Sequence, residues 1–223
     1  MLPIRIGLAL AMLTAECGHP SSHPPSAAPS SPPARATTVN PANIKRVARD
    51  LPPNYEVTSA IPSAASPRLI WGLDPDARSR PAKCAALADP GPGRDQTAQG
   101  LSASGQGGII NVVVVTMPDA GPDPAVIDAC AEWTMTANHT TAHARLTDPP
   151  HIDGVDTIGI AVDIKSAVES GTEIDSRAYT FIAYLGGYYA FTTLTTDPGS
   201  ALPALPPQFA ADLLVKTVST LRG

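Results

Sequence analysis

Residues 178–195 read Ala178-Tyr179-Thr180-Phe181-Ile182-Ala183-Tyr184-Leu185-Gly186-Gly187-Tyr188-Tyr189-Ala190-Phe191-Thr192-Thr193-Leu194-Thr195. Two runs rich in aromatic and β-branched residues flank Gly186-Gly187, a dipeptide that supplies the positive φ angles of a tight hairpin turn. A two-residue turn sets the register, so Leu185 stands opposite Tyr188, Tyr184 opposite Tyr189 and Ile182 opposite Phe191. Side chains alternate along a strand. Tyr184, Tyr189, Ile182 and Phe191 therefore share one face, and Phe181, Leu185, Tyr188 and Leu194 share the other. Both faces are apolar, and each needs a cover or a ligand.

Working toward the C-terminus, residues 207–221 place Ala210, Leu214, Val218 and Leu221 on one helical stripe, with Asp212, Lys216 and Ser219 pointing away. That helix can cover one face of the hairpin. Working toward the N-terminus, Ile158, Ile160, Val162 and Ile164 alternate with small or polar residues, the pattern of a half-buried strand. The run Ile109-Ile110-Asn111-Val112-Val113-Val114-Val115-Thr116-Met117 is almost continuously apolar and predicts a central strand covered on both faces, closed by Pro118. Pro124 opens a helix in which Val126, Ile127 and Cys130 recur at helical spacing, and which is expected to carry both Cys130 and Trp133 to the core. Residues 94–108 read as a flexible connection, and residues 55–72, punctuated by Pro62 and Pro67, as loop or edge strand. Asn43 is the expected cap of a short helix bearing Ile44, Val47 and Leu51, ended by Pro52-Pro53. Strands in hairpin order with helices at the ends predict an α+β domain, over residues 44–223, built on a mainly antiparallel sheet with flanking helices.

The first 43 residues read differently. Arg5 precedes an apolar run from Ile6 to Leu13, far shorter than a membrane span and suited to the core of an export signal over residues 1–16. Leu13-Thr14-Ala15-Glu16-Cys17 looks like a bacterial lipobox, in which Cys17 becomes the acylated first residue of the mature chain. Glu16 departs from the small residue usual before such a cysteine, and ordinary secretion is the competing reading. Residues 17–43 are rich in Pro and Ser, with Arg35 the one charged side chain, so they lack the apolar surface to offset the entropy of ordering. A disordered tether between lipid and domain is expected, with the membrane reached through the anchor only.

The chain has 3 cysteines among 223 residues, an odd number for an exported protein. Assigning Cys17 to the lipid leaves Cys84 and Cys130 as one pair, for which a disulfide is the default in an oxidising compartment. The alternative is a metal site of Cys130, His139 and His143, since His-x-x-x-His can present two imidazoles on one helical face. Against it, Thr140 and Thr141 favour strand, and the glutamate of a zinc-protease helix is missing. Asp148, His151, Asp153 and Asp156 form a further polar cluster whose spacing matches no Ca²⁺ loop and reads as a solvated turn.

Composition narrows function by exclusion. With 15 Lys+Arg against 20 Asp+Glu, a net charge of -5, nothing draws the chain to nucleic acid or to an anionic membrane surface. Between residues 95 and 175 the basic residues are Arg145 and Lys165 alone, amid many carboxylates. Gly100-Leu101-Ser102-Ala103-Ser104-Gly105 lacks the spacing of a nucleophile elbow, and Gly105-Gln106-Gly107-Gly108 lacks the Lys-Ser/Thr of a phosphate loop. No catalytic residue, cofactor site or metal site is assigned.

Taken in order, the lipobox, the Pro/Ser tether, Leu51-Pro52-Pro53-Asn54-Tyr55, the Cys84 and Cys130 pair, Tyr184-Leu185-Gly186-Gly187-Tyr188 and the terminal Phe209-Ala210-Ala211-Asp212-Leu213-Leu214-Val215-Lys216 resemble a family. It is that of mycobacterial cell-envelope lipoproteins with a domain of unknown function, similar in style to the extracellular sensor domain of a mycobacterial serine/threonine kinase. The resemblance implies an extracytoplasmic sheet with flanking helices, a disulfide and ligand sensing. The expected function is thus a non-enzymatic, sensor-like domain that binds an envelope lipid, glycolipid or protein partner, with an envelope hydrolase as the alternative. If one hairpin face stays open, Tyr184, Tyr189, Ile182 and Phe191 line an apolar cleft with hydroxyls at its mouth.

Overall fold

The computed structural model describes residues 38–59, 65–91, 97–117, 121–168, 171–197 and 199–223. The export signal, Cys17 and most of the tether lie outside the described residues. Strands β1 (Glu56–Thr58), β2 (Arg78–Arg80), β3 (Ala98–Gly105), β4 (Gly108–Thr116), β5 (Glu132–Ala137), β6 (Thr140–Thr147), β7 (Asp156–Ala167), β8 (Glu173–Tyr184) and β9 (Tyr188–Thr196) form one sheet. Its order is β1-β3-β4-β9-β8-β7-β6-β5-β2, and every described pairing is antiparallel. The edges are three-residue strands, too short to template pairing with another chain.

The hairpin at the centre has the register its turn dictates, Tyr184 opposite Tyr189 and Ile182 opposite Phe191. Gly186 and Gly187 sit at φ 60° and 80°, where a Cβ would be strained. β4 lies beside β9 with Val113 and Val115 in one core and Ile110, Val112 and Val114 in the other, so it is covered on both faces as its composition requires.

The two cores differ in how they are covered. On one face, helix α4 (Pro207–Leu221) buries Ala210, Leu213, Leu214, Val218 and Leu221 beside a 3₁₀ helix, Pro41–Asp50, that buries Ile44 and Val47. The 3₁₀ form suits that sequence, because residues three apart eclipse in it and Ile44 and Val47 then point the same way. Its cap is Asn40, whose side chain accepts from the Ala42 amide at 3.1 Å with Pro41 at the first helical position, and not Asn43. The domain's first helix therefore begins inside the stretch read as tether. On the other face, short pieces supply the cover: α1 (Pro67–Ile70), a 3₁₀ turn at Ala82–Cys84, α2 (Ala85–Ala88) and α3 (Pro124–Ala129). Trp71, Leu73, Cys84, Leu87 and Cys130 pack there on Ile158, Ile160, Ile182 and Phe191.

Two further expectations give way. Residues 98–105, read as part of a flexible connection, form β3, because Leu101 and Ala103 bury against the second core while the backbone pairs with β4. Tertiary pairing overrides the weak strand propensity of Gly, Ser and Gln. The helix opened by Pro124 stops at Ala129, and Trp133 reaches the first core from β5 instead. Asn138, at φ 46°, turns the chain from β5 into β6.

Candidate functional site

The four residues expected to line a cleft are brought together on one face, and that face is closed. Ile182, Tyr189 and Phe191 are 0% exposed and Tyr184 is 8% exposed. The indole Nε1 of Trp71 donates to Thr180 Oγ1 at 3.0 Å, and the Tyr189 hydroxyl donates to the Ala65 carbonyl, so the α1 segment is bonded down across the hairpin. Tyr189 and Phe191 stack with ring centroids 6.1 Å apart. Burial pushes the Tyr184 phenol far above its ordinary pKa. These aromatics are core, because the short pieces between β1 and β5 cover a face for which the sequence offered no evident lid.

Cys84 and Cys130 are bonded, with an S–S distance of 2.08 Å, which fastens that lid across itself. The metal alternative falls with it: the Cys130 sulfur is committed, and His139 and His143 are exposed on a turn and a strand. His143 Nδ1 lies 3.2 Å from Thr134 Oγ1. His151 and Asp153 pair at 3.1 Å in full solvent, as a solvated turn does. Among the described residues no group of three or more His, Cys, Asp or Glu is arranged to hold a metal ion.

Within the lid, Arg68 of α1 and Asp89 at the end of α2 form an ion pair at 2.7 Å, their side chains 16% and 8% exposed. Arg68 also donates to the Pro75 carbonyl at 2.8 Å. Desolvation raises the Asp89 pKa, and the Arg68 charge and the Gly91 amide oppose it without prevailing. On the opposite face, Asp163 accepts from Arg177 Nε at 2.6 Å and from Arg145 at 3.2 Å, a cross-strand cluster over β6, β7 and β8. Desolvation raises the Asp163 pKa there, but the two guanidiniums, Arg177 first, outweigh it and hold the carboxyl below its ordinary value.

An open concavity does exist on the face that carries the four aromatic and aliphatic residues, at the far end of the same strands. Because alternate residues share a face, Ile174 and Ser176 continue the row of Ile182 and Tyr184 along β8, and Thr195 continues the row of Tyr189 and Phe191 along β9. Beyond the lid these residues, with Ile109 of β4, floor a groove of about 390 Å³. Its walls are the β3–β4 turn at Gln106–Gly107 and the connection to α4, where Leu202 and Ala204 stand. The Leu205 amide donates to the Gly107 carbonyl at 3.0 Å and holds the two walls together. Gly108 at the floor is required: it sits at φ 135°, and a Cβ there would come within 2.5 Å of the Thr195 carbonyl oxygen.

Six large hydrophobic residues are prominently exposed among the described residues, and three of them, Ile109 (46%), Ile174 (54%) and Leu202 (47%), line this groove. Scattered apolar residues need no explanation, and three of them converging on one concavity make it the candidate site. None was singled out from the sequence. Ile174 was the legible one, since it extends the alternation of Ser176, Ala178, Thr180 and Ile182. Leu202, between Ala201 and Pro203, carries no periodicity at all.

The architecture defines an α+β domain in which one nine-stranded antiparallel sheet is covered on both faces by helices. Residues 40–222 match the family described as Domain of unknown function (DUF5642), and the chain belongs to that family. An uncharacterised protein of Mycobacterium smegmatis, the ortholog of Rv0999, is similar at 19% identity and a TM-score of 0.61, covering 83% of this chain and 98% of its own. The extracellular domain of PknH from Mycobacterium tuberculosis is similar at 14% identity and a TM-score of 0.44, covering 83% and 93%. The family of unknown function and the mycobacterial neighbours are those the sequence resemblance implied. No curated protein matches the chain significantly.

Proposed function

We propose that this protein is an exported, lipid-anchored component of the cell envelope whose domain binds a ligand or partner in a sensor-like role, without catalysis. The observation that supports the binding role is the convergence of Ile109, Ile174 and Leu202 on one groove at an end of the sheet that the described residues leave open. Its size falls within the roughly 300–1,000 Å³ of ordinary ligand sites, and hydroxyls of Ser104, Ser176 and Thr195 stand beside its aliphatic floor. No helix among the described residues is long and apolar enough to cross a membrane; the anchor in this reading is the acylated Cys17, supported by the lipobox-like Leu13-Thr14-Ala15-Glu16-Cys17.

The test of binding is displacement of an environment-sensitive apolar dye from the full-length protein. Wild type is expected to take up the dye, and Ile174→Glu to lose it while keeping its thermal midpoint, since Ile174 is 54% exposed. Equal uptake by both proteins would remove the groove from the proposal. Mass spectrometry of the mature N-terminus checks the anchor: a diacylated or triacylated Cys17 is expected, and a soluble product starting elsewhere would contradict it. Turnover of an ester, lipid or glycan substrate, abolished by one side-chain change, would favour the hydrolase reading instead.

A further inference from the structure

We infer that the outer face of the 3₁₀ helix Pro41–Asp50 docks on an anionic phospholipid bilayer, an inference that rests on the acylated Cys17 for its reach but not for its charge. The net charge of -5, which gives the whole chain no attraction for such a surface, conceals a segregation. From Cys17 to Arg49 the chain carries Arg35, Lys45, Arg46 and Arg49 and no carboxylate. The structure fixes three of these cations as an array. Ile44 and Val47 are buried toward the sheet, and a period of three residues per turn then leaves Lys45, Arg46 and Arg49 outside, all exposed. Among the described residues no carboxylate pairs with any of the three. Asp50, the first carboxylate after them, is taken by Lys216 of α4 at 3.6 Å. On the exposed side of α4, Asp212 accepts from Gln208 Nε2 at 2.8 Å and is the other acid of this layer. Lys45, Arg46, Arg49 and Lys216 against Asp50 and Asp212 leave its outer surface basic.

The place of this surface in the chain selects the bilayer as its occupant. The described domain begins at residue 38, and the Asn40 amide donates to the Leu221 carbonyl at 2.8 Å, so the chain from Cys17 enters the domain at the start of this helix. Acylation of Cys17 then keeps a bilayer at high effective concentration at that entry, and a patch too weak to hold lipid alone suffices. Acyl chains and a basic patch together make a firmer attachment than either does alone. An acidic protein has no such tie to this face. Each Lys or Arg beside an acidic leaflet strengthens attachment about fivefold, so three give about a hundredfold at low salt.

The experiment offers the mature protein, purified in detergent from its own membrane, a mixture of phosphatidylcholine and phosphatidylglycerol vesicles that flotation separates. Wild type is expected to favour phosphatidylglycerol by about a hundredfold at low salt and less at high salt. Lys45→Gln with Arg46→Gln and Arg49→Gln should divide evenly between the two at an unchanged thermal midpoint. Arg78→Gln with Arg80→Gln and Lys83→Gln, an equal loss of exposed charge around β2, should keep the preference. Even division of wild type would overturn the inference and leave the acyl anchor standing. Equal loss of preference in both triple variants would overturn it in favour of net charge. If wild type binds phosphatidylglycerol while the first variant stays in solution, the inference holds and the acyl anchor fails. Poly-glutamate bound as tightly as phosphatidylglycerol vesicles would overturn the bilayer in favour of an acidic protein.

Discussion

Arg68 and Asp89 show how a single buried pair sets the cost of change at one residue. Desolvation raises the Asp89 pKa against the pull of Arg68 and the Gly91 amide, so holding the carboxylate charged in this place costs more than its partners return. Removing one partner is nonetheless severe, because the other charge stays buried. Asp89→Ala should lower stability by about 3 kcal/mol in urea unfolding, while Arg68→Met with Asp89→Leu should recover most of the loss. Asp163 has the opposite sign. Its folded pKa is lowered by Arg177 and Arg145, so its contribution is present above the unfolded value near 3.8 and is lost as pH falls through the folded value. The thermal midpoint of wild type should exceed that of Asp163→Asn at pH 6, and the difference should vanish as the pH drops below the ordinary carboxylate range. The effect will be modest, since the Asp163 side chain is 43% exposed and solvent screens it.

Among the elements, α4 was legible in full and β3 was not, and the contrast is physical. α4 carries a stripe at helical spacing with polar residues opposite, and the observed helix spans Pro207–Leu221 with that stripe buried. β3 offers Gln, Gly and Ser, whose strand state exists because β1 and β4 pair with it on either side. α3 shows a third case: Val126, Ile127 and Cys130 have helical spacing, but Trp133, three residues on, belongs to the next strand. Apolar residues three apart fit a helix and also a helix end followed by a strand. The burial of α4 leads to a direct prediction. Leu214, fully buried in the second core, should cost about 2–5 kcal/mol when cut to Ala, read as a lower denaturation midpoint at unchanged slope.

At the scale of the whole molecule, one broad sheet is closed on one side by α4 and the 3₁₀ helix, and on the other by short pieces joined through Cys84–Cys130. Helices of four to six residues have little stability of their own, so the covalent link carries weight that α4 does not need. Cys84 and Cys130 are 46 residues apart, and the chain-entropy model gives about 4 kcal/mol for a loop of that length. Cys84→Ser with Cys130→Ser should therefore lower unfolding stability by about that amount. The lid should loosen before α4 does, which hydrogen exchange would register as faster exchange at residues 67–71 than at residues 210–221.

What the sequence by itself determined is local: the hairpin turn at Gly186-Gly187 with its register, the strand character of β4 and β7, the C-terminal helix, and from these an antiparallel α+β domain in which Cys84 and Cys130 are the cysteines to pair. Turn chemistry and periodicity act over a few residues and are written in neighbouring letters. Periodicity also placed Tyr184, Tyr189, Ile182 and Phe191 on one face, but a period of two says which way a side chain points and nothing of what lies above it. Only the tertiary structure decided that, among the described residues, one end of that face is roofed by the segments around Trp71 and Cys84 while the other, at Ile174 and Ile109, is open. Cover is a property of residues distant in the chain, and no spacing within a strand records where it ends.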